Sequence, residues 1–215
     1  MSSADPVMER IRKAVNRSGP PAPPPEIDEA ITRLTHASDD LPAVFASMCE
    51  SNKMHVRTCA SSELANLMIE FLQGERVKSV ALANGGNIAS LGLPAALNGA
   101  GFKAVTWDQL TLDELYDFDC GVTDVYSAVA ETGSLVVRAS VAQGRAISLV
   151  PKIHIAIVEA GQIVPDLIDL FANLTRDGLG SAVSLITGPS KTSDIEMTLV
   201  IGVHGPMKVQ VFVVP

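Results

Sequence analysis

The stretch VKSVALANGGNIASLGLPAALNGAGFKAVT, Val77 to Thr106, decides the fold. Val77 to Ala83 is an apolar run of strand length, Asn84-Gly85-Gly86-Asn87 is a turn, Ile88 to Leu97 has a helical pattern, and Phe102 to Thr106 is a second apolar run. Strand, helix and strand joined by short connections pair in parallel through a right-handed crossover. This half of the chain therefore reads as doubly wound.

The same grammar extends upstream. Leu41, Val44, Phe45 and Met48 fall at i, i+3, i+4 and i+7 behind Asp39 and Asp40, with Pro42 in the first turn, where a missing N–H costs nothing. His55 and Val56 make a short strand candidate. Leu64, Leu67, Met68, Phe71 and Leu72 mark a second helix, started near Ser61 or Ser62 and stopped by Gly74. Downstream of Asp119 the texture changes to short β-rich pieces: Cys120 to Thr123, Leu135 to Arg138, Ala146 to Val150 and Ile153 to Val158. A helix over Val164 to Leu174, closed by Gly178, precedes the strand candidates Ala182 to Thr187, Thr198 to Val203 and Val209 to Val214. No fixed-period repeat is present, which excludes solenoids and propellers. The expected architecture is an α/β fold with an open, mainly parallel sheet, flanking helices and extra β-structure in the C-terminal half.

Val7, Ile11 and Val15 recur at helical spacing between charged residues, giving an N-terminal helical arm within residues 1–17. Five of the 13 prolines then fall in residues 20–25, a composition that stiffens into an extended spacer, so residues 18–26 read as a linker. A proline-rich ligand for a partner domain is the other reading of that segment. Residues 27–215 remain as a single α/β domain, the size that one core supports.

Composition narrows the function classes. Hydrophobic residues are 47% and charged residues 19%, too apolar for a disordered chain. The apolar runs are nevertheless far below the roughly 18 residues of a membrane helix. Lys plus Arg is 16 against 24 Asp plus Glu, a net charge of −8 that disfavours nucleic-acid binding by a basic face. The charged N-terminus has no apolar run behind it and reads as a cytoplasmic start, not a secretory signal. Cys49, Cys59 and Cys120 form neither an even disulfide set nor a CxxC pair, so they read as reduced structural thiols that cannot supply four iron–sulfur ligands.

Three polar segments interrupt the apolar pattern. Asn84, Gly85, Gly86 and Asn87 join a strand to a helix without GxGxxG or GxxxxGK[ST] spacing, and serve either as a tight turn or as a cradle for a phosphate or carboxylate. Glu131, Thr132 and Gly133 lead straight into Leu135 to Val137. A carboxylate there is either solvated in a turn or paired within a cleft, because burying it free costs several kcal/mol. Gly188 to Glu196 packs Ser190, Lys191, Thr192, Ser193 and Asp194 between two apolar strands. Ser193 and Glu196 have capping-box spacing, while Ser190, Lys191, Thr192 and Asp194 could hold an oxyanion. His154 alternates with Ile153 and Ile155 as a core residue, whereas His204, beside Gly205, is better placed for a site. The four histidines lack metal-ligand spacing, so no metal is expected. No GxSxG elbow is present.

Val122 to Val137 with its AETGS segment, Lys152 to Val158 (KIHIAIV) and Gly188 to Pro206 (GPSKTSDIEMTLVIGVHGP) together resemble the LUD-domain family, and within it the lactate-utilisation C proteins. The resemblance covers roughly Met54 to Pro215. It implies a fold similar to the phosphosugar isomerase and CoA-transferase group, and a part in oxidising L-lactate to pyruvate alongside iron–sulfur partner proteins. A small anionic ligand is expected on this chain, and the clusters on the partners. Glu131-Thr132-Gly133 is also similar to the Glu-x-Gly of CoA transferases, which would make Glu131 a catalytic nucleophile or base in a transferase or isomerase. The strand-end positions of these segments lead to the expectation that Glu131, the Ser190 to Asp194 loop, His204 and the Asn84 to Asn87 turn share one cleft.

Overall fold

The computed structural model describes residues 5–15, 23, 28, 32–192, 200–201 and 204–215. Contacts divide the chain into two units, Met1–Arg33 and Leu34–Pro215. The first contains helix α1 (Asp5–Val15), on which Val7, Met8 and Ile11 are about half exposed. Apart from Pro23, the proline-rich residues 18–26 lie outside the described residues.

In the second unit, most of the helices form close to where the local signals put them. Helix α2 (Leu41–Ser51) starts at Asp40, whose carboxylate accepts the Ala43 N–H, and carries Pro42 in its first turn. Helix α3 (Leu64–Gly74) buries Leu64, Met68 and Leu72 along one stripe. The single helix expected over Ile88 to Leu97 is two, α4 (Gly86–Ser90) and α5 (Leu93–Gly99). Gly92 between them has φ +61°, which no helix can continue through, and Pro94 restarts the second. Helix α6 (Leu167–Asp177) is capped by Asp166, which accepts the Ile168 and Asp169 N–H groups, and ends at Gly178 with φ +83°.

Among the described residues the strands are β1 (His55–Thr58), β2 (Ser79–Leu82), β3 (Lys103–Thr106), β4 (Cys120–Asp124), β5 (Ser127–Val129), β6 (Ser134–Arg138), β7 (Ile153–Glu159), β8 (Ile163–Val164), β9 (Val183–Ile186), β10 (Lys191–Thr192), β11 (Val200–Ile201) and β12 (Lys208–Val214). Six form one sheet in the order β1-β12-β7-β4-β2-β3, and every pairing in it is parallel. A second, mixed sheet has the order β8-β5-β6-β9, and β10 pairs with β11 alone.

Alternation along the strands splits the core into two layers. Ile155 and Ile157 of β7 and Phe212 and Val214 of β12 face α3, α4 and α5. Ala156, Val158, Val211 and Val213 face α2 and the small sheet through Phe45, Cys49, Ala128 and Leu135. Helix α6 covers the outer face of the small sheet with Leu170 and Leu174 against Val129 and Val136. Both faces of the large sheet are thus covered, the condition under which parallel strands read as continuous apolar runs.

Two further sequence-based expectations fail. Ala146 to Val150 is not a strand: Arg145–Ser148 forms a 3-10 turn that lays Ile147 onto the large sheet, its carbonyl sitting where a β-carbon on Gly121 would be. An apolar segment fills a core equally well as a lid or as a strand, and pairing partners decide which. Val164 belongs to β8, so α6 begins only after Pro165 and its Asp166 cap. Among the described residues, no helix is long and apolar enough to cross a membrane.

Candidate functional site

All six strands of the large sheet point one way, so their C-terminal ends share an edge. The connection after β2 runs outward to β3, while that after β4 runs the other way to β7. Loops that part in opposite directions leave a crevice between neighbouring strand ends. A cleft of 310 Å³ lies there, with Gly85, Gly86, Asp124, Tyr126, Arg138 and Gln143 among its lining residues.

Asp124 ends β4 and is the acidic residue of this lining. Its Oδ1 accepts the Asn87 N–H at 3.2 Å. Gln143 clamps its main chain from both sides, taking the Asp124 N–H on Oε1 (3.1 Å) and giving Nε2 to the Asp124 carbonyl (3.0 Å). The Asn84 N–H reaches Ala142 O at 2.7 Å, so the segment 139–144 is tied to the ends of both strands. Asn87 Nδ2 donates to Glu159 Oε1 at 2.9 Å, placing one amide between two carboxylates. Burial pushes the Asp124 carboxyl up to about 6, and Glu159 adds to the rise, against the pull of the Ile88 and Asn87 hydrogen bonds.

Arg138, at the end of β6, is the basic residue of the lining. Its guanidinium lies 4.4 Å from the centre of the Tyr126 ring, and Nη1 donates to Gly178 O at 3.2 Å. Tyr126 is fixed in turn by donating its hydroxyl to Asp177 Oδ2 at 2.8 Å. The cation–π contact and the hydrogen bond hold the cation at the wall of the cleft.

Of the residues singled out in the sequence, Gly85 and Gly86 line this cleft, with Asn84 and Asn87 on either side of them in the same turn. The place expected for an external anion is filled by Asp124, which already takes the Asn87 N–H. The remaining candidates lie elsewhere. Glu131, Thr132 and Gly133 form the turn between β5 and β6, where the Glu131 N–H donates to Pro165 O (3.0 Å) and Thr132 O accepts from Asn52 Nδ2 (2.8 Å). Gly133 has φ +63°, and a β-carbon on it would stand 2.7 Å from the backbone of Met48 and Cys49. Thr132, Ser134 and Thr187 form a chain of hydroxyls with both links at 2.7 Å. Gly188 abuts the Asn52 carbonyl, and the Ser190 N–H donates to Pro206 O at 2.8 Å, with the Ser190 side chain against Gly205. Lys191 and His204 are exposed. Asp194, the Ser193–Glu196 cap and the Thr192 side chain lie outside the described residues.

The expected single cleft is therefore corrected to two places. The Met207 N–H donates to Lys152 O, just before β12 and β7 begin, so Ser190, His204 and Gly205 belong to the N-terminal edge of the large sheet. The Glu131 to Gly133 turn joins them there through Asn52, which precedes β1. The Asn84 to Asn87 turn lies at the opposite edge, one strand length or roughly 20 Å away. All these segments do lie at strand ends, but a strand has two, and parallel pairing keeps them on opposite sides.

Asp124, Arg138 and Gln143 carry no local signal beyond a carboxylate at the end of an apolar run. His154 is wholly buried, with Nε2 2.8 Å from Thr123 Oγ1, and burial pushes its imidazole down to about 4, so it is a neutral core residue. Among the described residues, no three His, Cys, Asp or Glu side chains group as a metal site.

Residues 43–214, nearly the whole of the second unit, match the family model of the LUD domain. The chain belongs to the LUD-domain family. It is similar to the protein of Halalkalibacterium halodurans named Lactate utilization protein C, with 29% identity over 182 residues covering 80% of this chain and 78% of that one. A Bacillus mycoides relative, Lactate utilization protein C 1, is 31% identical over 190 residues, 83% of this chain and 80% of that protein. The LUD architecture matches the crystal structure of a DUF162 family protein from Deinococcus radiodurans with a TM-score of 0.58 at 24% identity, covering 81% of this chain and 96% of that one. At that identity, the likeness shows the fold alone.

Proposed function

We propose that this LUD protein is a cytoplasmic component of an L-lactate utilisation system, in which it binds a small carboxylate or organises its partners. Oxidation of L-lactate to pyruvate releases two electrons and two protons, and iron–sulfur partner proteins take the electrons. The observation that carries this reading is the match along about four-fifths of both chains to proteins named for lactate utilisation. The thiols are consistent with partners carrying the clusters. Cys49, Cys59 and Cys120 are free and buried, Cys49 in one core layer and the other two in the other.

Deleting the gene and measuring growth and oxygen uptake on L-lactate tests the proposal. Loss of both is expected, and unaffected growth would sink it. Co-purification with a cysteine-rich iron–sulfur protein would then identify a subunit and not an independent enzyme.

A second reading is a transferase or isomerase acting on a CoA thioester or a phosphosugar, with Glu131 as nucleophile or base. In its favour, Glu131 is only half-buried and its turn lies beside the Thr132, Ser134 and Thr187 hydroxyls. Incubation with a panel of acyl-CoA thioesters, followed by mass spectrometry, decides it. An adduct on Glu131 supports the reading, and absence of both adduct and turnover ends it for thioesters.

A further inference from the structure

We infer that the cleft between the ends of β2 and β4 binds a small hydroxy- or oxo-carboxylate, with Arg138 taking the carboxylate and Asp124 facing the hydroxyl or carbonyl end. The choice of acid rests on the lactate-utilisation reading; the location and the polarity of the site rest on the geometry alone.

The cleft is built for an ion of one sign at one end. Arg138 lies over the Tyr126 ring and uses Nη1 on Gly178 O, and a guanidinium has four further N–H donors in a planar fork that matches a carboxylate. Among the described residues, no carboxylate forms an ion pair with it. Asp124, on the same cleft, takes the Asn87 N–H on Oδ1 and is also held by hydrogen bonds from Ile88 and the Asn87 side chain, so it meets a ligand with the acceptor or proton these leave over. The charged group that acts on it is Glu159 at the end of β7, linked through Asn87, while Arg138 of β6 lines the same cleft; its own strand contributes none.

Partial protonation suits Asp124 to this role. Protonated, it donates to a hydroxyl or carbonyl oxygen and does not repel the carboxylate bound at Arg138. Ionised, it accepts from a hydroxyl but adds negative charge beside an anion. Affinity therefore rises as pH falls through the titration of Asp124. The walls are rigid, because Gln143 spends its side chain on the Asp124 backbone and Gln162 caps the Glu159 N–H. A volume of 310 Å³ is at the lower end of ligand cavities and suits a small acid with a few waters.

Calorimetry on the full chain with L-lactate, pyruvate and acetate as probes tests the assignment. L-lactate and pyruvate should saturate one site and bind about tenfold tighter than acetate, which lacks the second oxygen function. Arg138→Gln should weaken both by about tenfold or more. Asp124→Asn should leave affinity flat between about pH 5 and 7, where the native protein tightens. Equal affinity in Arg138→Gln, or no preference over acetate, would overturn it. Because Arg138 also braces Tyr126, hydrogen exchange of the native chain gives a reading independent of substitution. Protection by L-lactate should appear at residues 84–88 and 138–143, and protection confined to 187–191 and 204–206 would refute the site. The pathway and the cleft fail separately. An Arg138→Gln allele that fully rescues lactate growth of the deletion strain removes the site and leaves the pathway. A deletion without growth defect, with binding still lost in Arg138→Gln, removes the pathway and upholds the site.

Discussion

A β-carbon on Gly86 would stand 2.5 Å from Asp124 Oδ2, so the turn after β2 and the end of β4 meet with no room for a side chain between them. Gly86 also has φ +53°, while Gly85 is extended at φ 166° with only Ala142 Cβ near it, at 3.6 Å. The two adjacent glycines are therefore not equivalent. Gly86→Ala should cost about 2 to 4 kcal/mol through positive φ and the clash with Asp124, whereas Gly85→Ala should stay within about 0.5 kcal/mol. Urea midpoints of the two variants check this.

Stability against pH should show two opposing contributions. Asp124 is raised from 3.8 to about 6, so between those values the native state holds the proton that the unfolded chain has released, and its contribution falls as pH rises. His154 is lowered from 6.5 to about 4, so the unfolded chain takes the proton first, and its contribution is lost as pH falls from 6.5 to 4. The two slopes partly cancel in the native protein. Asp124→Asn leaves the His154 slope alone, so the variant should gain on the native protein by ~1 to 3 kcal/mol on going from pH 4.5 to 7.5. Thermal unfolding at several pH values reads the difference directly.

The two edges of the sheet can be told apart by one substitution on each. Lys191 is exposed at the N-terminal edge, a strand length from Arg138. Lys191→Ala should leave L-lactate affinity within about twofold, since an exposed charge roughly 20 Å away is screened beyond a Debye length. Calorimetry beside Arg138→Gln makes the comparison, and a tenfold loss in Lys191→Ala would return the anion to the Ser190 to Thr192 segment.

The thiols should be inert in the folded chain. Burial pushes Cys49 up to about 12 and raises Cys120 further, and Cys59 is raised as well. Since the thiolate is the reactive form, iodoacetamide at pH 8 should leave Cys49 and Cys120 unmodified for hours and label them at once in denaturant, as peptide mass spectrometry would show.

Much of the architecture is legible in the sequence. The apolar runs at β2, β3, β7 and β12 and the stripes of α2, α3 and α6 follow from side-chain periodicity, a property of neighbouring residues. So do the Asp40 and Gly178 helix ends and the parallel crossover. The family is also legible, because it lives in contiguous segments. The edge on which each polar segment lies is not. Strand ends look alike in sequence, and only the pairing of β12 with β7 and of β2 with β4 puts His204 and Asn84 on opposite sides. Nor could local pattern show that Asp124 fills the cradle of the Asn84 to Asn87 turn, that Arg138 lies on Tyr126, or that Ile147 is a lid and not a strand. These are contacts between residues far apart along the chain. Periodicity assigns a side chain to a face, whereas its partner is chosen when sheet order and packing bring distant segments within a few ångströms.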